Sequence, residues 1–249
     1  MICSGSYSLR PMQPGDRDAI RAICIETCWR GGYDAAAIPS PWFWAEYWTR
    51  YFTDCEPEHT WVVVRREGDA DSNPGRDGAA APDGGAAADG RVVGYLTGTT
   101  DVARFDRYVT RRLPALGFGL LWRRVRAGQR VCRPALRGLI RAALRGDMHL
   151  SATIRRRYPA TWHFNLRPEA RGRGLGKALL TTFLARLGAL GVPGIHVQNL
   201  STSPAVSHIN ELFGLKLIHT GPTVAFAHLT REPVYIHTWV RAFGATDSG

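Results

Sequence analysis

Hydrophobic and polar positions along the chain switch repeatedly between a period of two and a period near 3.6, and the switches outline its elements. Tyr7 to Arg10 reads as a short strand. Asp16 to Cys28 sets Ala19, Ile20 and Ile23 on one side of an amphipathic helix, with Asp16 as its N-cap. Aromatic residues at 44, 47, 48, 51 and 52 fit one helical face, and Ser40-Pro41 supplies a cap and first turn. Trp61 to Arg66 and Arg91 to Thr97 read as strands. Trp162 to Leu166 alternates and ends before Pro168. Ala178 to Leu190 then carries Leu179, Leu180, Phe183, Leu184, Leu187 and Leu190 at helical spacing. Ile195 to Asn199 reads as a strand and Pro204 to Phe213 as a helix. Two strands, Thr223 to Ala227 and Val234 to Arg241, follow, with Trp239 and Phe243 closing the sheet. This order predicts an α/β fold with a mixed, mostly antiparallel sheet.

Two segments interrupt the pattern. Residues 68–90 consist almost entirely of Gly, Ala, Asp, Pro and Ser, which predicts a disordered linker within a hairpin rather than a domain boundary. Residues 101–157 hold 15 arginines against three aspartates, a net +12 in a chain whose total is +11. The rest of the protein is therefore close to neutral. Two or three short helices are expected in this insertion, broken near Pro114, Gly128 and Gly146. In the last of them Arg133, Arg137, Arg141 and Arg145 recur every four residues, opposite Leu136, Leu139, Ile140 and Ala143. That ladder reads as a solvated face over a packed stripe, with three functional alternatives: a clamp for an anionic substrate, a nucleic-acid patch, or a membrane-surface contact. Nucleic acid is disfavoured because no aromatics interleave with the arginines. Arginine choice itself says little, because the chain has only two lysines, Lys177 and Lys216.

Five scattered cysteines (3, 24, 28, 55 and 132) form no Cys-x-x-Cys pair, which points to a reducing, cytoplasmic setting and no zinc site. No run approaches the ~20 apolar residues of a spanning helix, and the first ten residues lack a leader pattern. The 249 residues are read as a single domain; a homodimer is left open.

The chemistry concentrates in Arg171-Gly172-Arg173-Gly174-Leu175-Gly176-Lys177, between the Trp162 strand and the Ala178 helix. Glycines let backbone amides approach a ligand, and the helix start adds unpaired N–H groups and positive dipole, a setting suited to a phosphate or pyrophosphate. A P-loop is excluded: Arg171 stands where it needs Gly, and Lys177 is followed by Ala178. A G-x-G-x-x-G dinucleotide turn is excluded by glycines at 172, 174 and 176. Arg171, Gly174 and Gly176 satisfy an Arg/Gln-x-x-Gly-x-Gly/Ala loop that binds acyl-CoA.

With that loop, residues 158–217 resemble the core of the GNAT (Gcn5-related) acetyltransferases. His163-Phe164-Asn165-Leu166-Arg167-Pro168-Glu169 and Gly191-Val192-Pro193-Gly194-Ile195-His196-Val197 are similar to bacterial members related to the acetyltransferase-like domain of O-GlcNAcase. Leu9-Arg10-Pro11, Asp16 to Ile20, Val92 to Tyr95 and Asp101 to Phe105 extend the likeness. The resemblance implies a GNAT fold whose fourth and fifth strands splay, with acetyl-CoA between them as co-substrate and a small-molecule or protein amine as acceptor. It implies that Phe164 and Leu166 offer backbone groups to the acetyl and pantetheine. The diphosphate would lie on the amides of residues 171–177, with Ser203 nearby. His163 and Glu26 are candidate bases, and Asn165 a residue orienting the acceptor. The aromatic helix overhangs the acceptor end in the family. One departure stands out: the slot where many members carry a tyrosine general acid holds Asn210, which has no titratable proton. An acyl-CoA-binding protein without turnover is the alternative this opens.

Overall fold

The computed structural model describes residues 2–4, 6–29, 32, 40–66, 90–126, 133–202 and 204–244. Among the described residues eight strands form two antiparallel sheets. β1 (Ile2–Ser4), β2 (Tyr7–Pro11), β3 (Thr60–Arg65), β4 (Arg91–Thr99) and β5 (Thr161–Leu166) lie side by side in that order. β6 (Gly194–Leu200), β7 (Lys216–Thr223) and β8 (Val234–Ala242) make the second sheet, in the order β6-β8-β7. The two sheets meet at one parallel bridge, Ala160 with Ile195. Ala160 donates its N–H to the Gly194 carbonyl (3.2 Å) and accepts from His196 N–H (3.0 Å). Past that bridge β5 and β6 share no ladder, so they open as a wedge.

α7 (Leu175–Ala189) covers one face, where Leu179, Leu180, Phe183 and Leu187 are fully buried against Trp61, Leu96, Trp162 and Ile195. On the other face α1 (Arg17–Glu26) packs Ile20, Ile23 and Cys24 against Val62, Val64 and Tyr95. Asp16 is the N-cap residue of α1, as expected, but its side chain makes no capping hydrogen bond to the helix. It closes a 3₁₀ turn, accepts from Gln13 N–H at 2.7 Å and pairs with the buried Arg10 guanidinium at 2.7 and 3.0 Å. The aromatic run forms α2 (Pro41–Ala45), a π turn (Glu46–Arg50) and α3 (Tyr51–Cys55), with Ser40 capping Phe43 N–H. The π turn divides the expected single aromatic face in two. Trp44 and Trp48 turn toward α1 and β4, whereas Tyr47, Tyr51 and Phe52 pack on Val102 and Phe105.

The insertion differs from expectation in two ways. α4 (Val102–Arg126) runs unbroken through Pro114, which lies on the exposed side where the carbonyl it cannot bond is open to water. In α5 (Arg133–Arg145) the inward stripe is Ala135, Gly138, Leu139 and Ala142, with the two alanines buried and Gly138 and Leu139 partly so, while Ile140 is half-exposed and Leu144 is 84 % exposed. Close approach selects that stripe: a Cβ on Gly138 would stand 2.4 Å from the Ala225 carbonyl oxygen. α6 (Ala152–Arg157) leads into β5. After β6 comes α8 (Pro204–Leu212), which ends at Gly214 in the left-handed region (φ +71°). The strand expected at 223–227 lies earlier, at β7. As an edge strand exposed on both faces it shows no buried alternation, and an edge position tolerates Pro222. Residues 68–89 of the expected linker lie outside the described residues. Among the described residues no helix is long and apolar enough to cross a membrane.

Candidate functional site

The wedge has a floor of main chain. In a strand, the N–H and C=O of one residue point to the same side, and successive residues alternate. Both backbone groups of Ala160 face β6, so those of Trp162, Phe164 and Leu166 do as well, whereas Arg167 N–H bonds back to Val93 on β4 (2.8 Å). Phe164 thus presents a peptide N–H and C=O where the strands have parted. The side chains of Phe164 and Leu166 pack toward α7, with Ile209 of α8 closing the far wall.

The glycine loop lies at the mouth of this wedge. After Leu166 the chain makes a 3₁₀ turn (Pro168–Ala170), and Gly172 and Gly174 both adopt left-handed backbone (φ +71° and +74°). Gly174 is the N-cap of α7, and no side chain caps it. Open space surrounds the positions a Cβ would take at Gly172 and Gly174, while a Cβ on Gly176 would stand at ordinary contact distance, 3.6–3.7 Å, from Leu166, Phe164 and Ile209. Leu175 and Gly176 are buried and Lys177 is exposed on the first turn. Arg171 and Arg173 brace the loop: their Nε groups donate to the carbonyls of Leu166 (3.0 Å) and Glu169 (3.1 Å), and Arg173 lies over the Tyr7 ring at 5.3 Å. An anion at this turn would meet amides, positive dipole and two anchored guanidiniums.

The opposite face of β5 carries a polar cluster. Strand register pairs Asn165 with Tyr95 and His163 with Thr97, so His163 and Asn165 project together toward α1 and α2, away from Trp162 and Phe164. Asn165 Nδ2 donates to Tyr95 Oη (2.9 Å), Tyr95 Oη lies 3.2 Å from His163 Nδ1, and Cys24 packs in the same buried cluster as Tyr95. Trp48, from the π turn, stacks on the His163 ring at 5.0 Å and 17°. Its indole N–H is buried and meets no acceptor among the described residues. Burial pushes the His163 pKa down to about 4, so the ring is neutral at physiological pH. Burial likewise raises Tyr95 well above its ordinary value and the Cys24 thiol to about 12. Sequence reasoning marks neither Tyr95 nor Cys24 as a site residue, whereas Trp48 belongs to the aromatic run expected at the acceptor end. The one available signal was a tyrosine in the apolar run Val92 to Leu96, whose hydroxyl had to find a buried partner.

Two other expected residues are engaged elsewhere. Glu26 makes a two-pronged ion pair with the buried Arg167 (2.7 and 2.9 Å), tying the end of α1 to the end of β5. Asn210 on α8 is fully buried; its Nδ2 donates to Asn199 Oδ1 on β6 (3.3 Å), and its own Oδ1 meets no donor among the described residues. Ser203 lies outside the described residues.

No family model matches the sequence. Solved structures do resemble it. SsHAT aligns over 95 % of this chain and 98 % of its own, with a TM-score of 0.64 and 23 % identity. A GNAT-superfamily phosphinothricin acetyltransferase from Sinorhizobium meliloti, in complex with AcCoA, covers 98 % and 92 % at TM-score 0.53 and 18 % identity. A Drosophila melanogaster polyamine N-acetyltransferase that forms N-acetylagmatine covers 95 % and 100 % at 0.55 and 16 %. At these identities the likeness is one of fold: the chain has the GNAT fold.

Proposed function

We propose that this protein is an acetyl-CoA-dependent N-acetyltransferase, in which an amine of a small molecule or protein attacks the thioester directly in a ternary complex. A nearer kinship to the bacterial proteins related to the O-GlcNAcase acetyltransferase-like domain is part of the same proposal. The observation that carries it is the wedge itself. β5 and β6 separate immediately after Ala160, the uncapped N-terminus of α7 follows β5, and the His163 cluster lies on the opposite face of the same strand. Bound acetyl-CoA would supply the activated acyl group. Its diphosphate has a counterpart in the amides of Gly172 to Lys177, whose left-handed glycines leave the niche clear of side chains. The Phe164 N–H is available to stabilise the oxyanion of the tetrahedral intermediate.

Proton transfer falls to His163. A hydroxyl has one proton and accepts two hydrogen bonds. With its proton on Nδ1, His163 donates to Tyr95 Oη, which also accepts from Asn165 Nδ2. That tautomer leaves His163 Nε2 with its lone pair, ready to take the proton that the amine sheds once it has attacked. Asn165 and Tyr95 act through the imidazole and are positioning residues. Glu26, held by Arg167, aligns α1 with β5. The Trp48 N–H offers the acceptor a donor beside the base.

A second reading, acetyl-CoA binding without turnover, is favoured by Asn210 alone, buried and without a proton to give the departing thiolate. The two are separated by titrating acetyl-CoA calorimetrically and following acceptor-dependent thiol release. Asn and Asp both tolerate left-handed backbone, so Gly174→Asn and Gly174→Asp are a matched pair. We expect the Asp variant to lose acetyl-CoA affinity at least tenfold relative to Asn. Equal affinities would remove the diphosphate from this loop.

A further inference from the structure

The insertion turns large apolar side chains outward on both of its long helices. α4 is anchored by its first turns: Val102 and Phe105 are buried with Tyr51 and Phe52, and Asp101 and Asp106 pair with Arg104 (3.5 Å) and Arg155 (2.6 Å). Its middle rests on α2 at Gly117, where a Cβ would stand 3.1 Å from the Phe43 ring. Positions 111, 115, 118, 122 and 126 share one side of a helix, turned away from Gly117, and all five are exposed. That side reads Arg111, Ala115, Phe118, Trp122, Arg126. Phe118 is 71 % exposed and Trp122 55 %, and their rings stack on each other (6.4 Å, 13°). α5 repeats the arrangement. Its small residues meet the rest of the protein, while Arg133, Arg137, Ile140 and Leu144 share the outer side.

Both helices pack on α2: α4 through Phe43, and α5 through Leu139 and Ala142, which cluster with Trp44. Between Asp106 and Asp147 the sequence carries 11 arginines and no acidic residue. Among the described residues Arg111, Arg126, Arg133, Arg137 and Arg141 have no carboxylate within ion-pair distance. Aromatic and aliphatic side chains exposed among such cations mark a surface that meets something both apolar and anionic. A nucleic acid offers phosphates and ring faces, but no place for Ile140 and Leu144. A protein partner would need a shaped hollow, because these side chains stand on convex helix surfaces. The headgroup–acyl boundary of a bilayer needs none. It takes Trp, Phe, Ile and Leu into hydrocarbon and sets lipid phosphates beside the flanking arginines. We infer that the insertion docks this protein on the surface of anionic lipid bilayers, without crossing them, with Phe118 and Trp122 as its apolar anchor. This docking is independent of acetyl transfer.

Sedimentation of the full chain with sucrose-loaded vesicles tests this. Phosphatidylcholine vesicles containing about 30 mol % phosphatidylserine should bind the protein at least tenfold more tightly than phosphatidylcholine alone. Salt at about 0.5 M should remove most of that difference. Phe118→Ser/Trp122→Ser and Arg111→Gln/Arg126→Gln should each weaken binding at least tenfold. All four positions are exposed, so circular dichroism and the urea midpoint should stay at wild-type values. A single-stranded oligonucleotide is titrated in parallel. Binding to the oligonucleotide with no preference for anionic vesicles overturns the lipid assignment in favour of nucleic acid. Equal sedimentation with both vesicle types, or with neither, overturns it as well. Anionic-vesicle binding that survives the Phe118→Ser/Trp122→Ser change overturns the docking face assigned to α4.

Discussion

The buried imidazole of His163 ties stability to pH in a way that can be worked out in advance. In the unfolded chain a histidine takes its proton near pH 6.5, whereas in the fold His163 stays neutral to about pH 4, because burial penalises the charged ring. Between those values the unfolded state holds more protons than the folded one, so stability rises with pH across the interval. The stabilisation is fully present above about pH 6.5 and drains away toward pH 4. A gap of about 2.5 pH units corresponds to about 3 kcal/mol. His196 is also held below its ordinary value, mainly by burial, and contributes a background of the same sign. The histidine in question is therefore isolated by difference. Urea unfolding of wild type and His163→Gln, from about pH 7.5 to about pH 4.5, should give curves whose separation changes by about 3 kcal/mol, with wild type losing more on acidification. The same neutral ring places the acid limb of kcat/KM well below pH 6.5. Parallel stability curves would show that His163 titrates normally in the fold, and the account of it as a neutral base at the wedge would fall with them.

Tyr95→Phe removes the oxygen shared by His163 and Asn165; kcat should drop by about 10²-fold or more with the KM for acetyl-CoA unchanged, read from initial rates across pH so that a shifted profile separates positioning from misfolding. Asp16→Asn leaves Arg10 buried beside a neutral partner and should cost about 3 kcal/mol in urea unfolding, with no effect on acetyl-CoA affinity. Gly138→Ala drives a Cβ into the Ala225 carbonyl, so α5 must move off the turn that follows β7. Its expected cost is about 1–3 kcal/mol, and faster amide exchange in α5 than in α7 would localise it.

Legibility from sequence followed the kind of signal each element carries. β5 and α7 were plain, because half-buried alternation changes to a helical stripe across three glycines. α5 was legible as a basic helix but not in its rotation. Large apolar residues ordinarily mark the inward face, yet here the neighbour is another stretch of backbone, and only Ala135, Gly138 and Ala142 are small enough to meet it. Ile140 and Leu144 were displaced to solvent by that fit. β7 was missed for the opposite reason: a strand at a sheet edge, exposed on both faces, has no partner to impose a period of two.

The candidate site divides along the same line. The diphosphate loop is local, since seven consecutive residues supply its glycines, amides and guanidiniums, and a reader of sequence meets all of them at once. The histidine cluster is assembled from α1, the π turn, β4 and β5, so its members are scattered between Cys24 and Asn165. What unites them is the β4–β5 register, and a shift of one residue would send Tyr95 to the α7 face and leave His163 without its oxygen partner. Nothing in either strand alone encodes that register. β4 is buried from Val92 to Thr99 on both faces and offers no alternation, so the register depends on tertiary fit. One contribution is visible at Gly94, where a Cβ would meet Leu166 Cδ2 at 2.2 Å: the missing side chain leaves room for Leu166 directly opposite, and that pairing places Asn165 against Tyr95.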